Sequence, residues 1–316
     1  MTQQRLNKNS PFFERLSAYF KERFPLLSHG ILIVSYYSSN QFLSQVLSHP
    51  HSPVTYSKYS LLGAITIFFV FLHLRVFDEH KDYEEDCRHY PQRVLSRGLI
   101  TLTHLKILGS IAIGIEIFIS AFRGWPALLA VFMVLAYSLL MLKEFFVRRW
   151  LKRHFFVYAI SHMLIMPLLA LTVYSFTTLR YPWGAPAWFW VYAFVGFFVT
   201  FNWEVSRKIR APEDEIETVD SYSKILGTYG AANLVVIIRV VDTLLVSLVG
   251  WHLKLSSWFY FILVILFLIC LQGFIQFRLH PSARTAKWIE KYAGFYMIAF
   301  DLTLVVAIFK GYGITF

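Results

Sequence analysis

The chain has 316 residues and a hydrophobic fraction of 57%, and only 16% of its residues are charged. A soluble domain of this length would carry about 25% charged residues, so the composition excludes that class. The two cysteines, Cys87 and Cys270, are too few and too far apart for a disulfide framework or a cysteine-based metal site. The sequence therefore predicts a membrane protein.

Apolar runs of about 20 residues, long enough to cross a bilayer, recur along the whole chain. They predict an all-α integral membrane protein with nine transmembrane helices and no linker that divides them. The predicted spans are 26–47, 59–77, 100–121, 125–142, 155–176, 186–206, 229–250, 257–275 and 292–312.

The segment before the first span is amphipathic. Phe13, Leu16, Phe20 and Phe24 recur at helical spacing with charged residues between them. Such a pattern is typical of a helix that lies on the membrane surface. We therefore predict an interfacial helix in residues 1–25. The remaining residues, 26–316, form a single membrane domain.

The basic residues predict the orientation in the membrane. With nine spans, 24 of the 30 Lys and Arg residues lie on the side of the N-terminus and five on the other. The positive-inside rule makes the 24-residue side cytoplasmic. The net charge of +11 is thus a topology signal, and no nucleic-acid partner is implied. We expect a multi-pass protein of a bacterial inner membrane, surrounded by lipids, whose functional site faces the cytoplasm.

Twelve of the 19 carboxylates lie in two short stretches, residues 75–101 and 202–227. Both stretches follow apolar spans that end on the predicted cytoplasmic side, so they can converge. Carboxylates at the edge of a membrane are costly unless a cation neutralises them. Two such stretches interleaved with Arg and Lys have the composition needed to bind a metal-bridged diphosphate.

The first stretch places its acids on a common helix face. Asp78, Asp82 and Asp86 are four residues apart, and Glu79 is three residues before Asp82. Hard cations such as Mg²⁺ prefer carboxylate oxygens and commonly use one or two of them together with phosphates and water. The alternative is a solvated helix end with local ion pairs. The second acidic stretch on the same side favours metal binding.

This stretch resembles the Asn-Asp-x-x-Asp-x-x-x-Asp motif of the UbiA superfamily of intramembrane prenyltransferases. Asp78 stands at the Asn position, Glu79 at the first Asp position, and Asp82 and Asp86 match. An arginine-containing segment, 90–101, follows as it does in the family. Residues 136–143, which run from Ala-Tyr-Ser to Lys143, are similar to the Tyr-Ser…Lys-Arg segment of the family.

The second stretch resembles the other family motif, Asp-x-x-x-Asp-x-x-x-Gly, and ends in Leu-Gly at Gly227 as the motif does. Asp214 lies at the second Asp position, but Arg210 occupies the position four residues before it. Glu204 is the nearest upstream acid, and an insertion would leave it on the helix and Asp214 on the loop. Glu213 and Glu215 remain alternative ligands.

The resemblance implies a UbiA-like bundle of nine transmembrane helices around a central cavity. Two Mg²⁺ ions would hold a prenyl diphosphate, whose prenyl group passes to an aromatic or lipid acceptor. The implied metal ligands are Asp78, Glu79, Asp82, Asp86, Glu204 and Asp214. Those with a catalytic role are Asp82, Asp86, Glu204 and Asp214. The implied diphosphate-binding residues are Arg93, Arg97, Lys143, Arg207 and Lys208.

Three alternatives stay open. Arg207 and Lys208 can instead be topology charges, with Lys208 paired to Glu204. The enzyme can be a terpene cyclase or lyase of the same superfamily. A cation-coupled transporter is a third reading, because some ionisable residues within the predicted spans could form an ion path, namely Glu116, Arg239, Asp242 and Asp301. The three-residue spacing of Arg239 and Asp242 predicts that they pair with each other.

Overall fold

The computed structural model describes residues 6–217 and 219–315, and this part of the chain is almost entirely helical. Its α-helices are α1 (Phe12–Arg23), α2 (Leu26–Ser48), α3 (Lys58–Lys81), α4 (Tyr83–His89), α5 (Leu102–Arg123), α6 (Trp125–Leu142), α7 (Arg148–Arg153), α8 (Phe155–Met163), α9 (Ile165–Thr178), α10 (Ala187–Arg207), α11 (Tyr222–His252), α12 (Ser257–Leu279) and α13 (Ala283–Tyr312). Short 3-10 turns lie at Glu144–Phe146, Pro182–Gly184 and Pro212–Asp214. Strands β1 (Val54–Thr55) and β2 (Ile314–Thr315) pair in parallel.

Seven helical segments of the described chain are long and apolar enough to cross a membrane. They are α3, α5, α6, the combined segment Phe155–Thr178 of α8 and α9, α11, α12 and α13. Each coincides with one of the nine predicted spans. The protein is therefore a multi-pass integral membrane protein, and the count of nine spans stays a prediction.

The other two predicted spans, 26–47 and 186–206, also form helices of sufficient length, α2 and α10, but these are less apolar than the seven. α2 buries five polar residues, namely Ser35, Ser39, Asn40, Gln41 and Ser44, which lower its hydropathy. Both helices pack inside the bundle, where α2 contacts α9 and α13, and α10 contacts α9, α11 and α13. Their polar atoms therefore meet protein groups instead of lipid.

Close helix packing depends on small residues at two contacts. A Cβ atom at Gly63 of α3 would lie 2.1 Å from the Tyr37 hydroxyl of α2, and one at Gly273 of α12 would lie 2.3 Å from the Tyr292 ring of α13. In a membrane, helix association relies on such close approach, because lipid chains are as apolar as the side chains they would replace.

The amphipathic N-terminal segment forms α1, which lies against the end of α3 and the loop that follows it. Tyr19 is fully buried in a cluster with Val76, Val94 and Leu105. Phe13 on the opposite side is 80% exposed, as expected of a residue that enters the membrane interface. Residues 1–5 lie outside the described part of the chain.

The ionisable residues inside the bundle have neighbouring partners. Arg239 and Asp242 form the predicted pair, with 2.8 Å between Nη1 and Oδ2. Glu116 lies 2.7 Å from Nδ1 of His73. The Asp301 carboxylate accepts hydrogen bonds from hydroxyl groups on α2 and α10. Each of these ionisable groups thus has a partner on its own helix or on a neighbouring one.

The predicted orientation in the membrane can be tested with reporter fusions. Lys143 follows α6 and Arg180 follows α9, with the single span Phe155–Thr178 between them. Truncated chains fused to a reporter at Lys143 and at Arg180 should therefore report opposite sides of the membrane, with Lys143 on the cytoplasmic side. Reporters on the same side would contradict the span assignment and the common orientation of the acidic stretches.

Candidate active site

Both acidic stretches lie at the same end of the helix bundle. At the other end, the Arg123 guanidinium stacks 4.6 Å from the Tyr59 ring at the start of α3 and donates to the Phe176 carbonyl near the end of α9. α3 and α10 both begin near that end and run away from it. The Asp78 carboxylate at the end of α3 interacts electrostatically with Arg207 at the end of α10. The predicted convergence is therefore present.

The first stretch changes helix at Asp82 but keeps the spacing of its acids. α3 ends at Lys81 and α4 begins at Tyr83. The Asp82 amide still donates to the Asp78 carbonyl at 2.9 Å, and the Asp86 amide donates to the Asp82 carbonyl at 2.8 Å. The three aspartates therefore stay one helical turn apart, as the sequence predicts.

Of the four predicted metal ligands in this stretch, Asp78 and Asp82 are the accessible ones, with side chains 43% and 41% exposed. They share one cation, because Lys81 Nζ lies 3.4 Å from Asp78 and 4.0 Å from Asp82. Partial burial raises the pKa of Asp82 to about 6, Lys81 opposes this rise, and the charges of nearby carboxylates add to it. Burial and the nearby carboxylates thus disfavour the charged form of Asp82 more than Lys81 favours it. A cation bound there would be stabilised.

Glu79 and Asp86 instead bind a residue that sequence reasoning did not identify. Arg23 of α1 lies 2.6 Å from Glu79 and 3.2 Å from Asp86. Glu79 is 2% exposed, and Asp86 also accepts a hydrogen bond from Arg93 at 2.5 Å. The metal-ligand roles of Glu79 and Asp86 stay predictions. In this structure both carboxylates fasten α1 to the site.

The 90–101 segment, which follows α4, contains two predicted diphosphate-binding arginines, Arg93 and Arg97. The Arg93 guanidinium stacks 3.7 Å from the Tyr90 ring while it holds Asp86. Arg97 donates to the Leu6 carbonyl at 2.6 Å, near the start of the described chain. Arg93 thus holds one of the predicted metal ligands, and Arg97 secures the N-terminal segment.

The second stretch contains the Glu204–Lys208 ion pair, which was the structural alternative to a diphosphate-binding role for Lys208. Glu204 is almost buried and lies 2.6 Å from Arg207 and 2.7 Å from Lys208. Both cations remain partly exposed, at 41% and 29%. Asp214 is exposed on the 3-10 turn at Pro212–Asp214. Glu204 lies on the helix and Asp214 on the loop, as predicted, and neither contacts the other in the described structure.

The end of the connection between α10 and α11 is held by Glu215. Its carboxylate accepts hydrogen bonds from the Ser221 and Ser223 hydroxyls at 2.7 and 2.6 Å. Ser221 also accepts a hydrogen bond from the Lys224 amide and caps α11. Glu215 is therefore engaged in loop structure, whereas Asp214 remains exposed beside it.

Lys143 follows α6 and lines a cavity of about 640 Å³ that also contains Lys81. Lys81 donates to the Tyr158 hydroxyl at 2.8 Å, so α8 reaches the acidic site as well. Tyr158 and Arg23 are the two site residues that the sequence did not reveal. Neither occurs at a regular spacing from the acidic motifs.

In the described residues, no three His, Cys, Asp or Glu side chains come together closely enough to hold a metal unaided. Asp78 and Asp82 nevertheless fit Mg²⁺, because they are adjacent, half-exposed hard oxygen donors. Mg²⁺ commonly takes one or two protein carboxylates and completes its octahedron with substrate phosphates and water. This donor set suits a metal that arrives with a diphosphate.

Comparison with known proteins identifies the family. A profile of the UbiA prenyltransferase family matches residues 43–299, whereas no curated protein sequence matches. A structure of digeranylgeranylglyceryl phosphate synthase shares 20% identity at a TM-score of 0.61, covering 94% of this chain and 99% of that chain. An apo structure of a UbiA homologue from Aeropyrum pernix K1 shares 14% sequence identity at a TM-score of 0.67, covering 89% of this chain and 97% of that chain. The structure of a UbiA homologue from Archaeoglobus fulgidus, bound to GPP and Mg²⁺, shares 12% sequence identity at a TM-score of 0.56, covering 92% of this chain and 99% of that chain. These structures share the fold, and the profile spans most of the sequence, so the chain belongs to the UbiA prenyltransferase family.

Proposed function

We propose that the protein transfers a prenyl group from a prenyl diphosphate to an aromatic or lipophilic acceptor, within the membrane and with Mg²⁺. The observation that carries this proposal is the pair of half-exposed carboxylates, Asp78 and Asp82, at the same bundle end as Arg207 and Lys208. The family and the likeness to a homologue bound to GPP and Mg²⁺ support it.

In this proposal Asp78 and Asp82 are the first metal ligands. The other predicted ligands are Glu79, Asp86, Glu204 and Asp214. Three of these carboxylates already form ion pairs with basic residues, namely Glu79, Asp86 and Glu204. When the diphosphate binds, these basic residues would contact it as well, or would leave the carboxylates for it. When bound, Mg²⁺ neutralises the charge that develops on the leaving diphosphate.

The diphosphate itself needs cations that can turn toward it. Lys143, Arg207 and Lys208 are assigned this role, and Arg93 and Arg97 border the same end of the bundle. Fixed positive charges aimed at a leaving group act strongly where water is excluded. The apolar helices below the site provide that shelter for an allylic carbon that develops positive charge.

We assign residues 26–316 to the prenyltransferase domain and residues 1–25 to a helix at the membrane surface. The excess of Lys and Arg at the site's end of the bundle supports a site that faces the cytoplasm, and we place the protein in a bacterial inner membrane. Among the described residues, the intramembrane charges pair within the bundle, for example Arg239 with Asp242. This pairing favours an enzyme over a cation-coupled transporter.

Product analysis tests the proposal. Purified protein is incubated with geranyl, farnesyl or geranylgeranyl diphosphate, Mg²⁺ and a panel of acceptors, and the lipids are identified by mass spectrometry. A prenylated acceptor is the expected product. A cyclised hydrocarbon formed without an acceptor would instead identify a terpene cyclase, and an unchanged diphosphate would exclude both enzymes.

Glu204 is the residue whose role in metal binding is most directly testable. If Glu204 is the helix ligand of the second motif, Glu204→Gln should raise the Mg²⁺ concentration for half-maximal rate by about tenfold, because a charge-assisted ligand is lost. Lys208→Met should leave that concentration nearly unchanged. Equal destabilisation of both variants, with wild-type Mg²⁺ dependence in each, would show that the pair is only structural. The metal would then rely on Glu213, Asp214 and Glu215.

A further inference from the structure

A cavity of about 320 Å³ lies at the end of the bundle opposite to the acidic site. The end of α2, the connection from α2 to α3, the start of α3 and the ends of α5 and α9 form its walls. Among the described residues that line it, only Pro53 and Phe176 lack a polar group on the side chain. Small-molecule sites have volumes of about 300 to 1,000 Å³. This cavity therefore suits a small polar ligand or a polar headgroup.

Arg123, the last residue of α5, is the one described lining residue with a permanent charge. Its Nε atom donates to the Phe176 carbonyl at 2.8 Å, and Nη2 donates to the Thr177 carbonyl at 3.2 Å. The guanidinium also lies 4.6 Å from the centre of the Tyr59 ring. These contacts fix its plane, while the side chain stays only half-buried. The Nη1 donors have no acceptor among the described residues and can serve a ligand.

No carboxylate balances the charge of Arg123. The sequence has no Asp or Glu in residues 23–77, 117–143 and 145–203, which include every described residue that lines the cavity. Lys58 adds a second positive charge nearby, with its Nζ atom 5.4 Å from the Tyr59 ring. A partly buried charge without a counter-charge is unfavourable, and charge-assisted hydrogen bonds to an anion would relieve it. The cavity therefore favours an anionic ligand.

The connection from α2 to α3 brings further donors and is itself held in place. His49 and Ser52 of this connection line the cavity. The Gln45 side chain accepts a hydrogen bond from the Thr55 amide at 2.6 Å and donates to the Thr55 carbonyl at 2.9 Å. Strand β1 of the same connection pairs with β2. Little ordering is thus needed when a ligand binds, and a preformed site loses less free energy to ordering.

The cavity lies near the membrane surface and far from the acidic site. Phe122 and Trp125, on either side of Arg123 in the sequence, are 67% and 62% exposed. Exposed aromatic residues at the ends of spans are typical of the lipid headgroup region. From Tyr59 to Lys81 the α3 helix rises by about 33 Å. A ligand beside Arg123 is therefore separate from a diphosphate at the acidic site.

We propose that this cavity binds a phosphate group, with Arg123 as its main ligand. The planar fork of a guanidinium matches phosphate oxygens, which the donors of His49 and Ser52 would also contact. A phospholipid headgroup and a free phosphate ion offer the same oxygens, so either can be the source. This binding is independent of the prenyl transfer proposed above, and its tests measure binding alone.

Native mass spectrometry of the purified protein in detergent tests the lipid source. The probe is dihexanoylphosphatidylglycerol, and dihexanoylglycerol is the matched ligand without phosphate. Arg123→Met should weaken binding of the phospholipid about tenfold, because a hydrogen bond to a charged group contributes at least one factor of ten. Arg180→Met removes an exposed arginine that follows α9 at the same end of the bundle, and it should bind as wild type. Binding of dihexanoylglycerol should be weak in all three proteins.

Thermal unfolding of the same proteins tests free phosphate. Phosphate replaces chloride at constant ionic strength, so that screening stays the same. A rise in melting temperature that Arg123→Met loses and Arg180→Met keeps would identify inorganic phosphate as a ligand of this cavity. The comparison of these variants also excludes phosphate bound at the acidic site. If Arg123→Met and Arg180→Met bind both phosphate sources equally, the proposal is overturned.

A second pair of variants keeps the test decisive if Arg123→Met does not fold, since that change also removes two hydrogen bonds to carbonyls. His49 is exposed, so His49→Ala should fold normally and weaken phosphate binding roughly threefold, the contribution of one hydrogen bond. His51 is also exposed but does not line the cavity, and His51→Ala is the control. Equal phosphate binding by these two variants would then overturn the proposal.

Discussion

Replacing Asp82 by asparagine is expected to lower prenyl-transfer turnover by about 10²- to 10³-fold, the cost of removing one well-placed electrostatic group from an active site. Asp82 is half-exposed, and partial burial together with neighbouring carboxylates raises its pKa to about 6, so a bound cation would stabilise its charged form. Asparagine keeps the shape of the side chain but removes the charge. Steady-state kinetics in detergent or liposomes measure the effect.

The fold should survive this change, because the polar contact of the Asp82 side chain is a weak one with Lys81 at 4.0 Å. The melting temperature of Asp82→Asn should therefore stay near that of wild type. Cys87→Ser, five residues along and with a free thiol, is the nearby control and should retain turnover. Full activity in Asp82→Asn would exclude a metal role for this residue.

Replacing Arg23 by methionine is expected to destabilise the protein by roughly 3 kcal/mol, because it leaves the buried Glu79 carboxylate without its counter-charge. Arg23 also contacts Asp86, so the loss should loosen α1 from the acidic site. Thermal or denaturant unfolding of the purified protein measures the change. Lys21→Met, an exposed neighbour on α1, controls for the loss of charge.

A double-mutant cycle isolates the Arg23–Glu79 pair. Combining Arg23→Met with Glu79→Gln removes both charges, so the double variant should be more stable than Arg23→Met alone. If the effects of the two substitutions simply add, the ion pair contributes no coupling energy. In that case Glu79 would be available as the metal ligand that the sequence motif predicts.

The helices were predictable because their signals are local. Apolar runs of membrane length correspond to helices at all nine predicted positions, and the three-residue spacing of Arg239 and Asp242 correctly predicted their pairing. α2 and α10 show the limit of hydropathy, since helices buried among other helices can carry polar residues. Their burial depends on distant partners that periodicity does not reveal.

The site was predictable only in part, for a similar reason. Regular spacing placed Asp78, Asp82 and Asp86 one turn apart, and the common orientation of the spans placed Arg207 nearby. Arg23 meets Glu79 across 56 positions of sequence, a contact with no local signal. The left-handed turn at Glu144–Phe146 contains no glycine or asparagine, the residues from which such a turn is usually predicted. Tertiary packing determines both features.

Diphosphate release from a prenyl diphosphate, first with Mg²⁺ and then with EDTA, tests the central claim most directly. The purified wild-type protein should release diphosphate with Mg²⁺, lose that activity when EDTA is in excess, and recover it when Mg²⁺ is restored. Asp82→Asn should show little release under any of these conditions. Release that persists in EDTA, or no release from geranyl, farnesyl or geranylgeranyl diphosphate, would contradict a magnesium-dependent prenyltransferase built on Asp78 and Asp82.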